Sequence, residues 1–264
     1  MRNLHELILS VKKIVLLIWI ALPLSEAFAQ RAHLFGEGLA FEKEFKVEAA
    51  FEKFELAIRQ NPKDSESLTH ASRMLSTIGG RLPKTESNQK QELYEKAKVY
   101  AEKSIQLNPF DTENRLAYVI SLGLQSEIAT NPQDKVRYAQ NIHNEATKIL
   151  QLDSTFAEAY FILGKWQYEL SRLNWMELMA CRLFFGGFPE EISLERALEY
   201  FQQANTYKQD YILFLFGLAS AQHALGENEK ATQTLQKALS LPLSEPDDTT
   251  RKERCQALLK QIVQ

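Results

Sequence analysis

The chain has 264 residues, with 31 basic and 34 acidic side chains and a formal net charge of −3 at neutral pH. Nucleic-acid binding needs a concentrated positive surface, so this near-balance argues against it, and no block of like charges indicates an electrostatic tail. The length is sufficient for one continuous core, and no Gly/Ser-rich or Pro-rich linker divides the sequence.

The first segment is predicted to be a signal peptide rather than part of the fold. A basic lead that includes Lys12 and Lys13 precedes an apolar run over 14–24, and Ala-Phe-Ala at 27–29 supplies a small-x-small cleavage pattern. The apolar run is short against the roughly 20 residues that span a bilayer. We therefore expect 1–29 to be removed and the mature chain to be periplasmic or secreted, with an uncleaved signal anchor as the alternative.

The rest of the chain repeats one helical-hairpin pattern about five times. The first copy contains Leu34, Gly38, Phe41, Ala50, Phe54, Ala57 and Pro62. Those intervals match the 34-residue tetratricopeptide pattern, in which small residues let two antiparallel helices approach closely. The predicted fold is an all-α, tetratricopeptide-like α-solenoid. Its repeats are expected at about 31–64, 65–111, 112–156, 157–211 and 212–245, and a capping helix at 249–263 covers the last open face.

The second and third copies depart from the pattern. In the second, Gly79-Gly80 and a polar stretch to Gln91 add about a dozen residues to the usual repeat length. We expect a lengthened loop there, because each doubling of loop length costs only about 0.6 kcal/mol. The third copy is the weakest match, with helices near 113–129 and 133–152 and Asp153-Ser154 in place of the closing Asp-Pro.

The fourth copy carries an insertion over 171–192. A helix is expected from Trp175 to Phe185, started by a capping pair of Asn174 and Glu177 and stopped at Gly186. Nine of its eleven residues are apolar, and a helix that is apolar nearly all round must be covered by something. Three alternatives remain for what covers these side chains. They pack on the solenoid as additional core, they form one wall of a groove that binds an apolar ligand or a partner helix, or they make a shallow contact with a membrane.

The middle of the chain resembles a known family. The stretches are Leu-Gly-Lys-Trp-Gln-Tyr at 163–168, Leu-Asn-Trp at 173–175 and Leu-Phe-Phe-Gly-Gly-Phe-Pro at 183–189. They are similar to the hallmark region of the regulator of microtubule dynamics family, although Lys165 stands where an Arg is common. The resemblance implies a tetratricopeptide-type fold without established catalytic residues. The microtubule association of eukaryotic members is not carried over, because this chain is predicted to be exported.

Catalytic and metal-binding motifs are absent from the sequence. It has no His-Glu-x-x-His, no Gly-x-Ser-x-Gly and no phosphate-binding glycine loop, and four of its histidines fall in separate repeats without ligand spacing. Cys181 and Cys255 are expected to be two buried thiols, with a disulfide as the alternative that export permits. We therefore predict neither an enzyme nor a cofactor or metal site.

Function is expected to reside on the concave surface that successive first helices of the hairpins form. The repeat register gives these inward-facing candidates: Phe35, Leu39, Thr69, Arg73, Phe161, Lys165, Tyr168, Phe216 and His223, joined by Trp175 and Phe184 of the insertion. The sequence predicts a non-enzymatic, exported interaction module that binds a peptide or protein partner. The alternative is a carrier of an apolar, lipid-like ligand. Arg73 and Lys165 suit the polar head of such a ligand and a peptide carboxylate equally well.

Overall fold

The computed structural model describes residues 29–185 and 191–264, without the side chains at 84, 180 and 183–185. The predicted signal peptide, apart from Ala29, and the helix stop at Gly186 lie outside the described residues.

Twelve α-helices and one short 3₁₀ turn, Lys84–Glu86, account for most of the described chain. The helices are α1 (29–43), α2 (Val47–Gln60), α3 (Ser65–Arg81), α4 (Ser87–Leu107), α5 (Thr112–Ile128), α6 (Pro132–Leu152), α7 (Ala157–Ser171), α8 (Trp175–Phe185), α9 (Leu194–Tyr207), α10 (Ile212–Ala224), α11 (Asn228–Ser240) and α12 (Asp248–Val263). No strand occurs in these two ranges. The predicted all-α class is confirmed.

Polar side chains start several helices where the sequence places them. Asp64 caps α3, Asp111 caps α5, Asn131 caps α6 and Ser193 caps α9, each by accepting a backbone N–H of the first turn. These N–H groups have no partner inside the helix, and such caps are typically worth about 1 kcal/mol each. The caps of α3 and α5 therefore set where the second and third hairpins begin, and the caps of α6 and α9 set where the second helices of the third and fourth hairpins begin.

Neighbouring helices pack as antiparallel pairs that stack along the chain. Helix α3 packs on α4 and α5, α5 on α6, α7 on α9, and α10 on α11, while α12 covers the last pair. Close approach depends on glycine: a Cβ atom at Gly38 would lie 2.5 Å from the ring of Phe54, and one at Gly164 would lie 2.8 Å from the ring of Phe201. Both rings are almost completely buried. The small and large positions of the repeat thus form the core, and the predicted α-solenoid is confirmed.

The expected long loop in the second hairpin is wrong. Helix α3 continues to Arg81 and α4 starts at Ser87, so the extra residues lengthen both helices, to 17 and 21 residues. The reason is a contact at the end of the hairpin, where the ring of Tyr94 is buried against Gly79. Burying this apolar ring in the longer helices stabilises them more than a polar loop would.

Helix α8 starts as predicted but leaves its apolar side chains uncovered. The backbone N–H of Asn174 donates to Glu177 Oε2 at 2.8 Å, and the N–H of Glu177 donates to Asn174 Oδ1 at 3.0 Å. The helix packs on α6. Trp175, Met176 and Met179 are nevertheless 73%, 61% and 42% exposed. The alternative in which they return to the core is wrong for these three, because so short a helix touches the solenoid along one face only.

Both cysteines are free thiols buried in helices, and burial raises the pKa of Cys255 to about 11. Among the described helices, none combines the length and apolarity needed to cross a bilayer.

Candidate binding groove

A cavity of about 1150 Å³ runs between the first helices of the hairpins and the C-terminal segment. One wall comes from α1, α3, α5 and the start of α7, and the opposite wall from residues 244–254 and the turn before α10. Solenoids form concave surfaces because each repeat rotates slightly against the previous one. Here the last segment of the chain turns that open surface into a two-walled groove.

The floor of the groove is apolar. Leu116, Ile120 and Leu124 recur every four residues and therefore share one face of α5, and Phe161 and Ile162 of α7 continue this surface. Leu116 is buried, and the other four are partly exposed to the groove. An apolar side chain that entered would leave water on contact with this floor.

One end of the groove holds a histidine–carboxylate pair on an aromatic base. His70 Nδ1 lies 2.6 Å from Glu42 Oε2, and the His70 ring lies on Phe35 and Phe54 with ring centroids 5.5 and 5.0 Å away. Burial by itself would raise the pKa of Glu42, but the hydrogen bond and charge of His70 outweigh it and lower that pKa. The carboxylate is therefore held in its charged form.

Two ion pairs of unequal quality lie further along. Lys208 Nζ donates to Glu158 Oε1 at 2.8 Å, whereas Arg73 Nη1 is 3.4 Å from Glu113 Oε2. Desolvation by the groove walls raises the pKa of Glu113. The positive charge of Arg73 lowers this pKa and the negative charge of Glu158 raises it further, so that the net shift is upward. Glu113 is thus incompletely neutralised, and an incoming cationic group would be stabilised there.

A tyrosine between two cations marks the far end. The Lys208 ammonium lies 4.1 Å and the Arg251 guanidinium carbon 5.6 Å from the ring centroid of Tyr211. Burial raises the pKa of Tyr211. The phenol stays protonated at neutral pH and presents a polar group to the groove.

The structure brings together only some of the residues that the sequence placed on the inner surface. Leu39, Arg73 and Phe161 line the groove. Phe35 lies under His70. Thr69 is 2% exposed, and its hydroxyl donates to Asn114 Oδ1 at 2.6 Å, so it joins two repeats instead of meeting a ligand.

The remaining candidates lie elsewhere. Lys165 is exposed outside the groove lining, and Tyr168 and Phe216 pack against neighbouring core residues, Phe216 under α12. His223 Nδ1 is 2.7 Å from Asn228 Oδ1. Trp175 projects from α8, which packs on α6 and contributes nothing to the described lining, and the side chain of Phe184 lies outside the described residues.

Sequence reasoning missed the second wall of the groove. Lys208 and Tyr211 belong to a turn between repeats, and Asp247, Arg251 and Arg254 belong to the capping segment, to which a repeat register does not apply. The only available signal was the helical spacing of Arg251 and Arg254, which does not say which side of the groove they face. In the described ranges, no three His, Cys, Asp or Glu side chains are arranged to hold a metal ion.

Stacked antiparallel hairpins around a concave groove define a tetratricopeptide-type α-solenoid. The crystal structure of a thermophilic TPR protein from Thermus thermophilus matches with a TM-score of 0.65 at 16% sequence identity, over 87% of this chain and 99% of that chain. At this identity the match shows the fold alone.

The particular family follows from the sequence. The family model described as regulator of microtubule dynamics protein 1-3 matches residues 31–263, and the chain belongs to this family. Regulator of microtubule dynamics protein 2 of Rattus norvegicus is 24% identical over 200 residues, which is 75% of this chain and 48% of that protein. Protein 1 of Caenorhabditis elegans is 25% identical over 128 residues, which is 48% of this chain and 56% of that protein. The chain thus spans about half the length of these relatives, and the predicted family is confirmed.

Proposed function

We propose that this protein is a non-enzymatic interaction module whose groove holds an extended segment of a polypeptide partner. The observation that carries the proposal is the lining, in which an apolar floor lies between walls bearing charges of both signs. A polypeptide can match all three features at once, because its side chains alternate in direction and differ in charge. The fold and family, which are generally those of protein-interaction scaffolds, support the same class of function.

The size and the ion pairs of the groove favour a chain segment over a compact ligand. Its volume of about 1150 Å³ exceeds the roughly 300–1,000 Å³ of small-molecule pockets. The 3.4 Å contact of Arg73 with Glu113 is longer than the roughly 2.7–2.9 Å of a strong charged hydrogen bond. Either side chain can therefore exchange its partner for a charged group of the bound segment at little cost.

The alternative ligand is an apolar, lipid-like molecule, and the continuous floor of Leu116, Ile120 and Leu124 is the feature that favours it. A lipid tail would make no hydrogen bond or ion pair with the charged walls along most of the groove, which is why we prefer the polypeptide.

We further propose that the protein acts outside the cytoplasm, in the periplasm or as a secreted protein. The basic lead, the apolar run and the Ala-Phe-Ala triplet at 27–29 support export. The names of the relatives refer to microtubule dynamics, and we do not extend that function to this protein.

Selection of peptides from a random display library tests the proposal. Peptides enriched on the purified protein would be synthesised with a fluorophore, and their affinity measured by fluorescence polarisation. We expect Leu124→Glu, which puts a charge on the floor, to weaken binding at least about tenfold. The matched control is Trp175→Ala on α8, which should leave the affinity unchanged.

Two outcomes would contradict the proposal. Peptides that bind the Leu124→Glu variant as tightly as the unaltered protein would place the binding surface elsewhere. A stoichiometric lipid in an organic extract of the purified protein, displaced by no enriched peptide, would establish the lipid-like ligand instead.

A further inference from the structure

A short turn joins α1 to α2 and closes the end of α1. The backbone N–H of Lys46 donates to the carbonyl oxygen of Phe41 at 2.9 Å, and that of Phe45 donates to the carbonyl oxygen of Glu42 at 3.0 Å. This pair of bonds is the Schellman motif, in which the residue after the helix cap takes a left-handed backbone conformation. Phe45 accordingly has a φ of 61°. Glycine usually occupies this position, because a residue with a side chain is strained there.

The turn between α10 and α11 has the same hydrogen bonds and the usual residue. The N–H of Glu227 donates to the carbonyl oxygen of Gln222 at 2.8 Å, and that of Gly226, whose φ is 80°, donates to the carbonyl oxygen of His223 at 2.9 Å. Asp210 is the other non-glycine residue with a positive φ in the two described ranges, and aspartate tolerates this conformation better than phenylalanine does. A glycine therefore suffices to form the turn, and the strain at Phe45 comes from a side chain that the turn does not need.

The side chain of Phe45 contributes to the groove. Phe35, Phe41 and Phe51 of the same hairpin pack against the core of the first two hairpins. Phe45 is instead 40% exposed and lines the groove, as does Leu39 of α1, which is 39% exposed. Two apolar side chains are therefore available to a ligand where α1 forms the wall, and one of them is held on a strained backbone. Strain of this kind is concentrated at ligand-binding sites.

We propose that Phe45 is an anchor for a large apolar side chain of the bound segment, and that it determines specificity at this end of the groove. The inference rests on the proposed function and names the residue type that the partner must carry. Because two hydrogen bonds fix the backbone of Phe45, its ring loses little freedom on binding. An aromatic side chain in contact with this ring would leave water and gain from the ring–ring contact. The carboxylate of Glu42, on the same wall, would repel an acidic side chain.

The fluorescent peptides enriched on the purified protein are the probes for this anchor. Phe45→Gly keeps the turn and removes the ring, and we expect it to weaken peptide binding about tenfold. The control is Gly226→Ala, which changes the equivalent turn of the fifth hairpin, away from the described groove lining, and should leave the affinity unchanged.

Alanine substitution at each apolar residue of a bound peptide identifies the residue that contacts the ring. One such peptide should bind the unaltered protein about tenfold more weakly and bind Phe45→Gly with no further loss, because both changes remove the same contact. A general loss of structure would instead weaken the binding of every peptide to the variant by the same factor. That result, or an unchanged affinity in Phe45→Gly, would overturn the anchor.

Thermal melts test the strain at Phe45. The variants Phe45→Ala and Phe45→Gly both lack the ring and differ only in the Cβ atom. The midpoint of Phe45→Gly should lie about 2–4 °C above that of Phe45→Ala, although glycine loses more chain entropy on folding. Gly226→Ala should melt about 2–4 °C below the unaltered protein, because a Cβ there meets nothing within 4 Å and only the backbone is strained. Equal midpoints for the two variants of Phe45 would overturn the inference.

The anchor and the proposed function fail separately. Peptides whose binding is weakened by Leu124→Glu but not by Phe45→Gly would overturn the anchor and leave the peptide-binding proposal standing. Peptides that bind the Leu124→Glu variant as tightly as the unaltered protein would contradict the proposed function itself.

Discussion

The substitution Gly164→Ala should destabilise the protein although alanine is the better helix former. Gly164 lies in the middle of α7, where a Cβ would be 2.8, 2.9 and 3.1 Å from three ring carbons of Phe201. The ring cannot retreat, because on its other side a Cβ at Gly217 would be 2.7 Å from it and 2.9 Å from Phe161. The two glycines therefore form a slot that holds one aromatic ring between two consecutive hairpins.

Two opposing effects set the magnitude. Replacing glycine by alanine inside a helix gains about 1 kcal/mol from propensity. Forcing a methyl group into a filled core costs about 1–3 kcal/mol. The free energy of unfolding should therefore fall by about 0–2 kcal/mol. Gly123 in α5 is the matched control, because a Cβ there meets nothing within 4 Å. Gly123→Ala should be stabilising, and the difference between the two variants isolates the contact with Phe201.

The assay is urea unfolding followed by circular dichroism, with the free energy obtained by linear extrapolation and the slopes compared between variants. Adding Phe201→Leu to Gly164→Ala should recover part of the loss, because the smaller side chain vacates the space that the methyl group needs. The reasoning is refuted if Gly164→Ala stabilises the protein as much as Gly123→Ala does.

Three further effects follow from side-chain environments. Trp175→Ala should change the free energy of unfolding by less than about 0.5 kcal/mol, because 73% of that side chain is already exposed. Asp248→Asn should cost about 1.5–3 kcal/mol in the same urea assay, since it removes the charged acceptor of Arg251. Stability should decline as the pH falls below about 4. Burial alone would raise the pKa values of Asp64 and Asp248, but the hydrogen bonds to these carboxylates outweigh burial and lower both pKa values. These two carboxylates contribute stability above the pKa of the unfolded chain, and it is lost as they are protonated. Thermal melts between pH 3 and 7 measure this, and a flat profile would contradict it.

The sequence predicted the local structure well because the repeat signal is local. Helices expected near 113–129 and 133–152 lie at Thr112–Ile128 and Pro132–Leu152, since capping and helical periodicity act within a few residues. Gly164 and Phe201 of the fourth copy meet in the same way as Gly38 and Phe54 of the first copy, as the repeat pattern requires.

Contacts between distant segments could not be predicted in the same way. The pairing of Arg81 with Asp247 depends on the accumulated rotation of all intervening repeats, which no single repeat encodes. The lengthened helices of the second hairpin depend on Tyr94 finding Gly79 in space. The exposed apolar side chains of α8 could not be predicted for a different reason. Composition indicates that an apolar helix must pack against something, but it does not indicate which surface that is.

Site-specific photocrosslinking tests the central claim most directly. A benzophenone amino acid would replace Ile120 on the groove floor and, as the control, Tyr207 on the exposed part of α9. After irradiation in the compartment where the protein resides, crosslinked material would be identified by mass spectrometry. The proposal predicts a polypeptide attached at position 120 and not at 207, and its loss when Arg73→Glu is added. A polypeptide attached at 207 alone, or a lipid attached at 120, would contradict it.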